Sequence, residues 1–259
     1  MRLRRFLFEW EDLPGFPAPL RAYMLDFLTF FLKAGKLYAP IAPLLLEKVR
    51  GNHSKRVLDL ASGGAGPLES LLPELVKEFP EIRVLLSDLY PSPASWQRLE
   101  DQFPDNVKGV SAPVDALRLP ANNGALLTMF SALHHFSPEM LRCLLSHVAQ
   151  QRQPAFFCDG GGIKPILLGG VALMPFLFLL ATPFLRPFRA GRLLLTYLLP
   201  LVPLCTLWDG TVSVLRLYSF PELKQLAAAC STPQYGWRAG KFRKFPGVYV
   251  YFLEGSPVR

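Results

Sequence analysis

The sequence predicts an α/β fold: a doubly wound, mostly parallel sheet with an N-terminal helical lid and a hydrophobic helical insertion. Three observations carry this expectation. Apolar, β-branched runs alternate with helix-period segments between residues 56 and 158. The first of these runs enters a loop of small residues, Asp59-Leu-Ala61-Ser62-Gly63-Gly-Ala-Gly66, and a helical segment follows. Between residues 164 and 207 the alternation stops, and two long runs (166–183 and 193–207) carry no charge.

Composition narrows the classes. With 51% hydrophobic residues the 259-residue chain is expected to be folded rather than disordered. Lys and Arg number 28 against 20 Asp and Glu, which admits an anionic membrane face as a partner. The cations are spread and do not interleave with aromatics, so nucleic acid is not expected. Cys143, Cys158, Cys205 and Cys230 lack C-x-x-C spacing, and with 4 histidines no metal framework is expected. Reduced thiols and a cytoplasmic setting follow. Residues 1–10 are basic, then turn acidic at Glu9, and contain no apolar signal core, so no signal peptide is expected.

The elements follow in order. From Leu20, apolar Tyr23, Met24, Phe27, Leu28, Phe31 and Leu32 keep helical spacing, either as a core helix or as a lid over a lipophilic substrate. Pro40 and Pro43 separate it from a short helix at 44–49. Strands are expected at 57–60, 82–86, 107–110, 125–130 and 155–158, and helices at 68–79, 93–102 and 138–150. Ser137 caps the last helix, with Pro138 at its first position. Ser219 and Glu222 have capping-box spacing for a helix at 221–230. Strands at 235–241 and 247–253 close the chain.

The polar residues gather at strand ends. Asp59 and the glycine loop follow the first strand, Asp88 the second, Asp115 the third, and His134-His135 the fourth. In an open α/β sheet those carboxyl ends share one crevice. The set 57–66, Ser87-Asp88-Leu89, Val114-Asp115-Ala116 and 132–136 resembles the class I S-adenosylmethionine-dependent methyltransferases, Rossmann-like proteins with a seven-stranded sheet. The resemblance implies that Asp59 and the backbone of Ala61, Ser62 and Gly63, with Gly66 closing the loop, hold the methionine part of S-adenosylmethionine. It implies ribose hydroxyls on Asp88, adenine against Leu89, the adenine edge on Asp115 and Ala116, and Met129 and Phe130 flanking the cofactor. The family's D-x-G-x-G-x-G is altered at Ala61 and Ala65. Either Gly64 and Gly66 take the left-handed angles, or binding is weakened.

His134 and His135 are candidates for a general base, needed when the acceptor is a hydroxyl, or else capping and packing residues. Trp208, Asp209, Arg216 and Tyr218 are candidates for the acceptor side. The blocks expected are 1–50 as the helical lid, 51–163 as the cofactor-binding core, 164–207 as a hydrophobic helical hairpin and 208–259 as the completion of the core. An α/β pattern is expected to resume at Val212. The hairpin reads as a re-entrant or interfacial membrane contact, a soluble lid, or spanning helices. Arg186, Arg189 and Arg192 are spaced to meet lipid phosphates on one face. The resulting expectation is a cytoplasmic, membrane-associated methyltransferase for a lipophilic small molecule or lipid, with peripheral or monotopic contact through 164–207. The alternatives are a nicotinamide-dependent oxidoreductase and a membrane-docked interaction module with a non-functional cofactor pocket.

Overall fold

Apolar runs punctuated by Gly, Pro and Asn become strands, and the amphipathic stretches between them become helices. The computed structural model describes residues 7–119 and 124–258, so the basic residues at 1–6 lie outside the described residues. After a 3-10 turn at Trp10–Asp12 come α1 (Ala18–Ala34), α2 (Ala42–Gly51), β1 (Arg56–Leu60), α3 (Gly66–Glu78), β2 (Arg83–Leu86), α4 (Pro93–Gln102) and β3 (Val107–Gly109). They are followed by β4 (Leu126–Phe130), α5 (Pro138–Gln150) and β5 (Ala155–Gly162). The insertion comprises α6 (Lys164–Ala172), α7 (Met174–Ala181), α8 (Ala190–Leu193), which runs on as a π-helical turn, and α9 (Leu201–Arg216). Then α10 (Phe220–Cys230), β6 (Tyr235–Phe245) and β7 (Val248–Pro257) complete the chain.

The strands form one sheet in the order β3-β2-β1-β4-β5-β7-β6. The first five are parallel, and β7 runs antiparallel to both β5 and β6. Because the chain steps outward from β1 in one direction and then returns to β4 on its other side, a crevice opens beyond their carboxyl ends. The expected doubly wound sheet is observed. The two closing strands are one hairpin turning at Pro246-Gly247, where Gly247 (φ +77) supplies the left-handed angle.

Two cores flank the sheet. On one face Leu68, Leu72, Leu75, Trp96 and Leu99 pack on Val57, Val84 and Leu126. On the other, Leu141, Leu144, Leu145 and Leu223 pack on Leu60, Leu127 and Phe157. A third core, Phe16, Met24, Phe27, Phe178, Leu185 and Val202, joins α1 to the insertion. The Phe27 and Phe178 ring centroids are 4.3 Å apart. Thus α1 is both a packed helix and a roof.

The insertion departs from expectation in two ways. The chain remains helical through Arg216, so position 207 falls inside α9 and no α/β pattern restarts at Val212. Buried Val202, Asp209, Val212 and Arg216 recur at helical spacing, which explains the continuation. The arginines also divide. Arg192 is buried and donates to Asp26 on α1 at 2.6 Å, and Arg189 lies 3.1 Å from the same carboxylate. Only Arg186 of the three stays exposed without a partner among the described residues, because a buried carboxylate on α1 draws the other two inward.

Candidate cofactor and acceptor site

The loop between β1 and α3 is shaped by the helix above it. Ala61 (φ +49), Gly63 (φ +49) and Ala65 (φ +57) take the left-handed angles; Gly64 and Gly66 do not. Those two glycines serve close approach instead. A Cβ on Gly64 would lie 2.6 Å from Thr29 Oγ1, and one on Gly66 would lie 2.9 Å from Thr29 Cα. Thr29 Oγ1 donates to the Gly64 carbonyl at 3.3 Å, and Trp96 Nε1 donates to the Gly63 carbonyl at 2.8 Å. The two alanines therefore carry left-handed strain that packing from α1 and α4 sustains.

Asp59 acts beneath this loop. Its Oδ1 accepts from Thr128 Oγ1 at 2.6 Å and its Oδ2 from Ser62 Oγ at 2.7 Å. It is 2% exposed and stands behind the cavity wall rather than on it. Burial pushes its carboxyl up to about 6 against the pull of those two hydrogen bonds. Asp88 does reach the cavity, and its oxygens accept from the Gly63 and Tyr90 amides, each at 2.8 Å. Burial raises its carboxyl as well. Four lone-pair directions on a carboxylate leave capacity for ligand hydroxyls after these two bonds.

Ala61, Ser62, Gly63, Gly66, Leu89, Asp115, Ala116 and Phe130 share the cavity with Asp88. Leu89 is exposed on the rim, and Asp115 accepts from Leu117 N at 2.9 Å, capping a short 3-10 turn. Met129 is not on the wall: one residue before Phe130 on β4, it faces the opposite side of the sheet and is wholly buried among Leu60 and its neighbours. The cavity measures about 650 Å³. From the polar floor at the strand ends it continues under Met24, Leu28 and Phe31 of α1 to Val171 and Val214 of the insertion.

Both histidines line it, and each ring meets a different carboxylate. His134 donates its backbone N–H and its Nδ1–H to Asp159 Oδ2, each at 2.9 Å. This fixes the tautomer with Nε2 free to accept a proton. His135 places Nδ1 2.8 Å from Asp12 Oδ1, with Glu9 at 3.8 Å. Burial opposes its charge, but the Asp12 hydrogen bond and the charges of Glu9, Asp12 and Glu11 prevail and lift it to about 9. His135 is therefore an imidazolium near neutral pH. Asp12 is correspondingly held at about 2: burial would raise it, but the hydrogen bonds and charges of His135 and Arg216 outweigh that.

An N-terminal strap closes this end. Asp209 accepts from Trp10 N at 2.8 Å and Glu11 N at 3.1 Å, and Arg216 Nη1 donates to Glu9 at 2.9 Å and Asp12 at 2.7 Å. Trp208 Nε1 donates to the Phe8 carbonyl at 3.0 Å, and Tyr218 Oη to the Phe136 carbonyl at 2.8 Å. Of these four, Asp209 faces the cavity and the others fasten its surroundings. Burial and the Asp209 charge push Glu11 up to about 8. Glu9, His134 and His135 hold potential ligand atoms within 4.8 Å of one another, but Glu9 is already engaged by Arg216 and by Ser213 at 3.0 Å.

Sequence reasoning missed Thr29, Thr128 and Asp159. Asp159 carried a signal, an acid at a parallel strand end like Asp59. Thr29 falls on the polar side of the α1 pattern, with Arg21, Asp26 and Lys33, and nothing local marks it.

The sheet order narrows the fold. An antiparallel β7 between β5 and β6 departs from the dinucleotide-binding order 3-2-1-4-5-6. The chain has the fold of the class I S-adenosylmethionine-dependent methyltransferases, as its likeness to a solved structure shows. No family model and no curated protein sequence matches the chain. Among solved structures, the plantazolicin methyltransferase BpumL in complex with SAH aligns with a TM-score of 0.55 at 10% identity, covering 93% of this chain and 96% of its own. An O-methyltransferase family protein from Burkholderia thailandensis aligns at 0.47 and 12% identity, covering 85% of this chain and 56% of its own. NcsB1, an O-methyltransferase from neocarzinostatin biosynthesis, aligns at 0.44 and 16% identity, covering 88% and 60%.

Proposed function

We propose that this protein transfers a methyl group from S-adenosylmethionine to a hydroxyl of a lipophilic small molecule or lipid taken up at a membrane face. The observation that carries the proposal is the single cavity joining the polar strand ends to an apolar chamber between α1 and the insertion. At about 650 Å³ it lies within the usual range of ligand sites. The residues present fit S-adenosylmethionine: Asp88 would accept from the ribose hydroxyls, Asp115 and the Ala116 N–H would meet the adenine edge, Leu89 would lie against the adenine, Phe130 would flank the cofactor, and the 61–63 backbone would meet the methionine end. Asp59 sets the loop from behind through Ser62, and Met129 backs Phe130 without contact.

Bound there, the sulfonium supplies an activated methyl, so the protein's part is alignment and proton removal. His134 is the base. Asp159 holds its Nδ1–H, Nε2 takes the acceptor's hydroxyl proton, and the resulting imidazolium is stabilised by the Asp159 carboxylate. His135, already protonated, contributes positive charge and anchors the strap.

The membrane-face reading draws on the insertion. Lys164–Phe184 is long and apolar enough to cross a membrane, and 11% of its window is buried. The segments Ala190–Leu198 and Leu201–Arg216 meet at 79°. Phe176 (66%), Leu180 (71%) and Phe184 (74%) stand in solvent, a surface that dissolved globular proteins rarely present. Both ends of the insertion rejoin the same sheet, which favours monotopic docking. Incubation with methyl-labelled cofactor and a whole-cell lipid extract tests the proposal. Label should enter the organic phase with the wild type and not with His134→Ala; equal labelling by the two would refute the assignment.

A further inference from the structure

Beneath the tip of the insertion, a second cavity of about 340 Å³ opens between α1, the first turn of α3, α4 and the 184–187 turn. Its charged lining is unbalanced. Buried Glu69 accepts from Lys33 Nζ at 2.6 Å and binds the Arg98 guanidinium through both oxygens. The Lys33 and Arg98 side chains nevertheless stay 52% and 40% exposed, and each carries more donors than its bonds to Glu69 use. Arg186 also lines the cavity, is exposed, and has no hydrogen bond or ion pair among the described residues. The remaining acid on the wall, Asp26, is already shared by Arg189 and Arg192. Lys33, Arg98 and Arg186 face the one Glu69 carboxylate, and Asp26 is more than balanced by Arg189 and Arg192, so the wall is net positive, as a phosphate group requires.

The position of the cavity suggests where such a group comes from. Phe184 forms part of its wall and is 74% exposed, and Phe188 nearby is 58% exposed. The anion site thus opens at the margin of the apolar surface, where a bilayer would present headgroups. We propose that this cavity binds the phosphate of an anionic lipid headgroup and so sets the depth and orientation of the insertion on the membrane. The inference rests on the membrane-face reading above, and its chemistry is separable from that reading.

Co-sedimentation with vesicles tests it. Wild-type protein should bind pure phosphatidylcholine vesicles, and a minor fraction of phosphatidic acid should tighten binding by about tenfold. Arg186→Gln should lose most of that increment while keeping the phosphatidylcholine binding. Arg243→Gln, which removes an equal charge from exposed β6, should keep the increment. An increment that survives in Arg186→Gln, or that falls equally in Arg243→Gln, overturns the inference. If wild type ignores phosphatidylcholine vesicles, the membrane-face reading fails, and titration with glycerol 1-phosphate decides the rest. Binding weakened in Arg186→Gln then supports a soluble phosphomonoester in the same cavity; no binding by wild type overturns the site.

Discussion

Asp159 Oδ2 accepts two hydrogen bonds from one residue, the backbone N–H and the Nδ1–H of His134. The carboxylate thereby fixes where the histidine sits and which nitrogen is free. Asp159→Asn would keep the volume but present an amide that can turn its NH₂ towards Nδ1 and select the wrong tautomer. We expect methyl-transfer turnover to fall by about 10²–10⁴-fold, with cofactor affinity changed less than about twofold. Single-turnover rates beside a binding titration check this, and a loss confined to cofactor affinity would contradict it.

His135 and Asp12 predict a pH profile of stability. His135 stands at about 9 in the fold against an ordinary 6.5, so its contribution is complete below pH 6.5 and is lost as pH rises through 9. Asp12 stands at about 2 against 3.8, so its share is present above pH 3.8 and is lost as pH falls through 2. Glu11, raised from 4.5 to about 8, favours its neutral form in the fold and lowers stability as pH rises between those values. In urea melts, His135→Gln should be less stable than wild type by about 1–2 kcal/mol at pH 6 and converge on it near pH 10. Parallel curves would contradict the pairing.

The loop alanines and glycines predict opposite responses. Gly66→Ala places a methyl 2.9 Å from the Thr29 Cα and should cost about 1–3 kcal/mol by forcing α1 off the loop. Ala65→Gly relieves a left-handed alanine but gives up a buried methyl and adds unfolded-chain entropy, so its net effect should stay within about 1 kcal/mol. Denaturant midpoints separate the two, and a larger loss for Ala65→Gly would reverse the assignment.

The insertion predicts an unusual surface mutant. Phe176, Leu180 and Phe184 are more exposed than not, so replacing all three by Ser should leave the unfolding midpoint nearly unchanged, about 0.5 kcal/mol per site at most. The same change should reduce detergent and vesicle binding at least about tenfold. A cooperative loss of fold would show instead that these side chains cover a protein interface.

The α/β core was legible because parallel strands buried on both faces read as continuous apolar runs, as Leu126–Phe130 does. The cavity floor, Ala61 to Gly63 with Asp88 and Asp115, was legible for a related reason: loops at strand ends are local in sequence. What could not be read was long-range pairing. Nothing near Arg192 announces that Asp26 will bury it, and nothing near His135 announces Asp12. The end of the insertion was misplaced because Val212 and Val214 favour strands by type, whereas their burial follows the helical face of α9. The two alanines mark a difficulty that the sequence leaves open between left-handed angles at Gly64 and Gly66 and weakened binding; the alanines themselves take those angles, and the lack of a side chain on the two glycines is used by Thr29.

The central claim is that the crevice at Asp88 and the glycine loop binds S-adenosylmethionine. Isothermal titration of the cofactor into wild type and Asp88→Ala tests it most directly, with circular dichroism confirming that both are folded. Saturable binding by wild type, weakened at least about tenfold (~1.4 kcal/mol) by loss of the ribose acceptor, is the predicted result. No binding by folded wild type, or equal affinity in the two proteins, would contradict it.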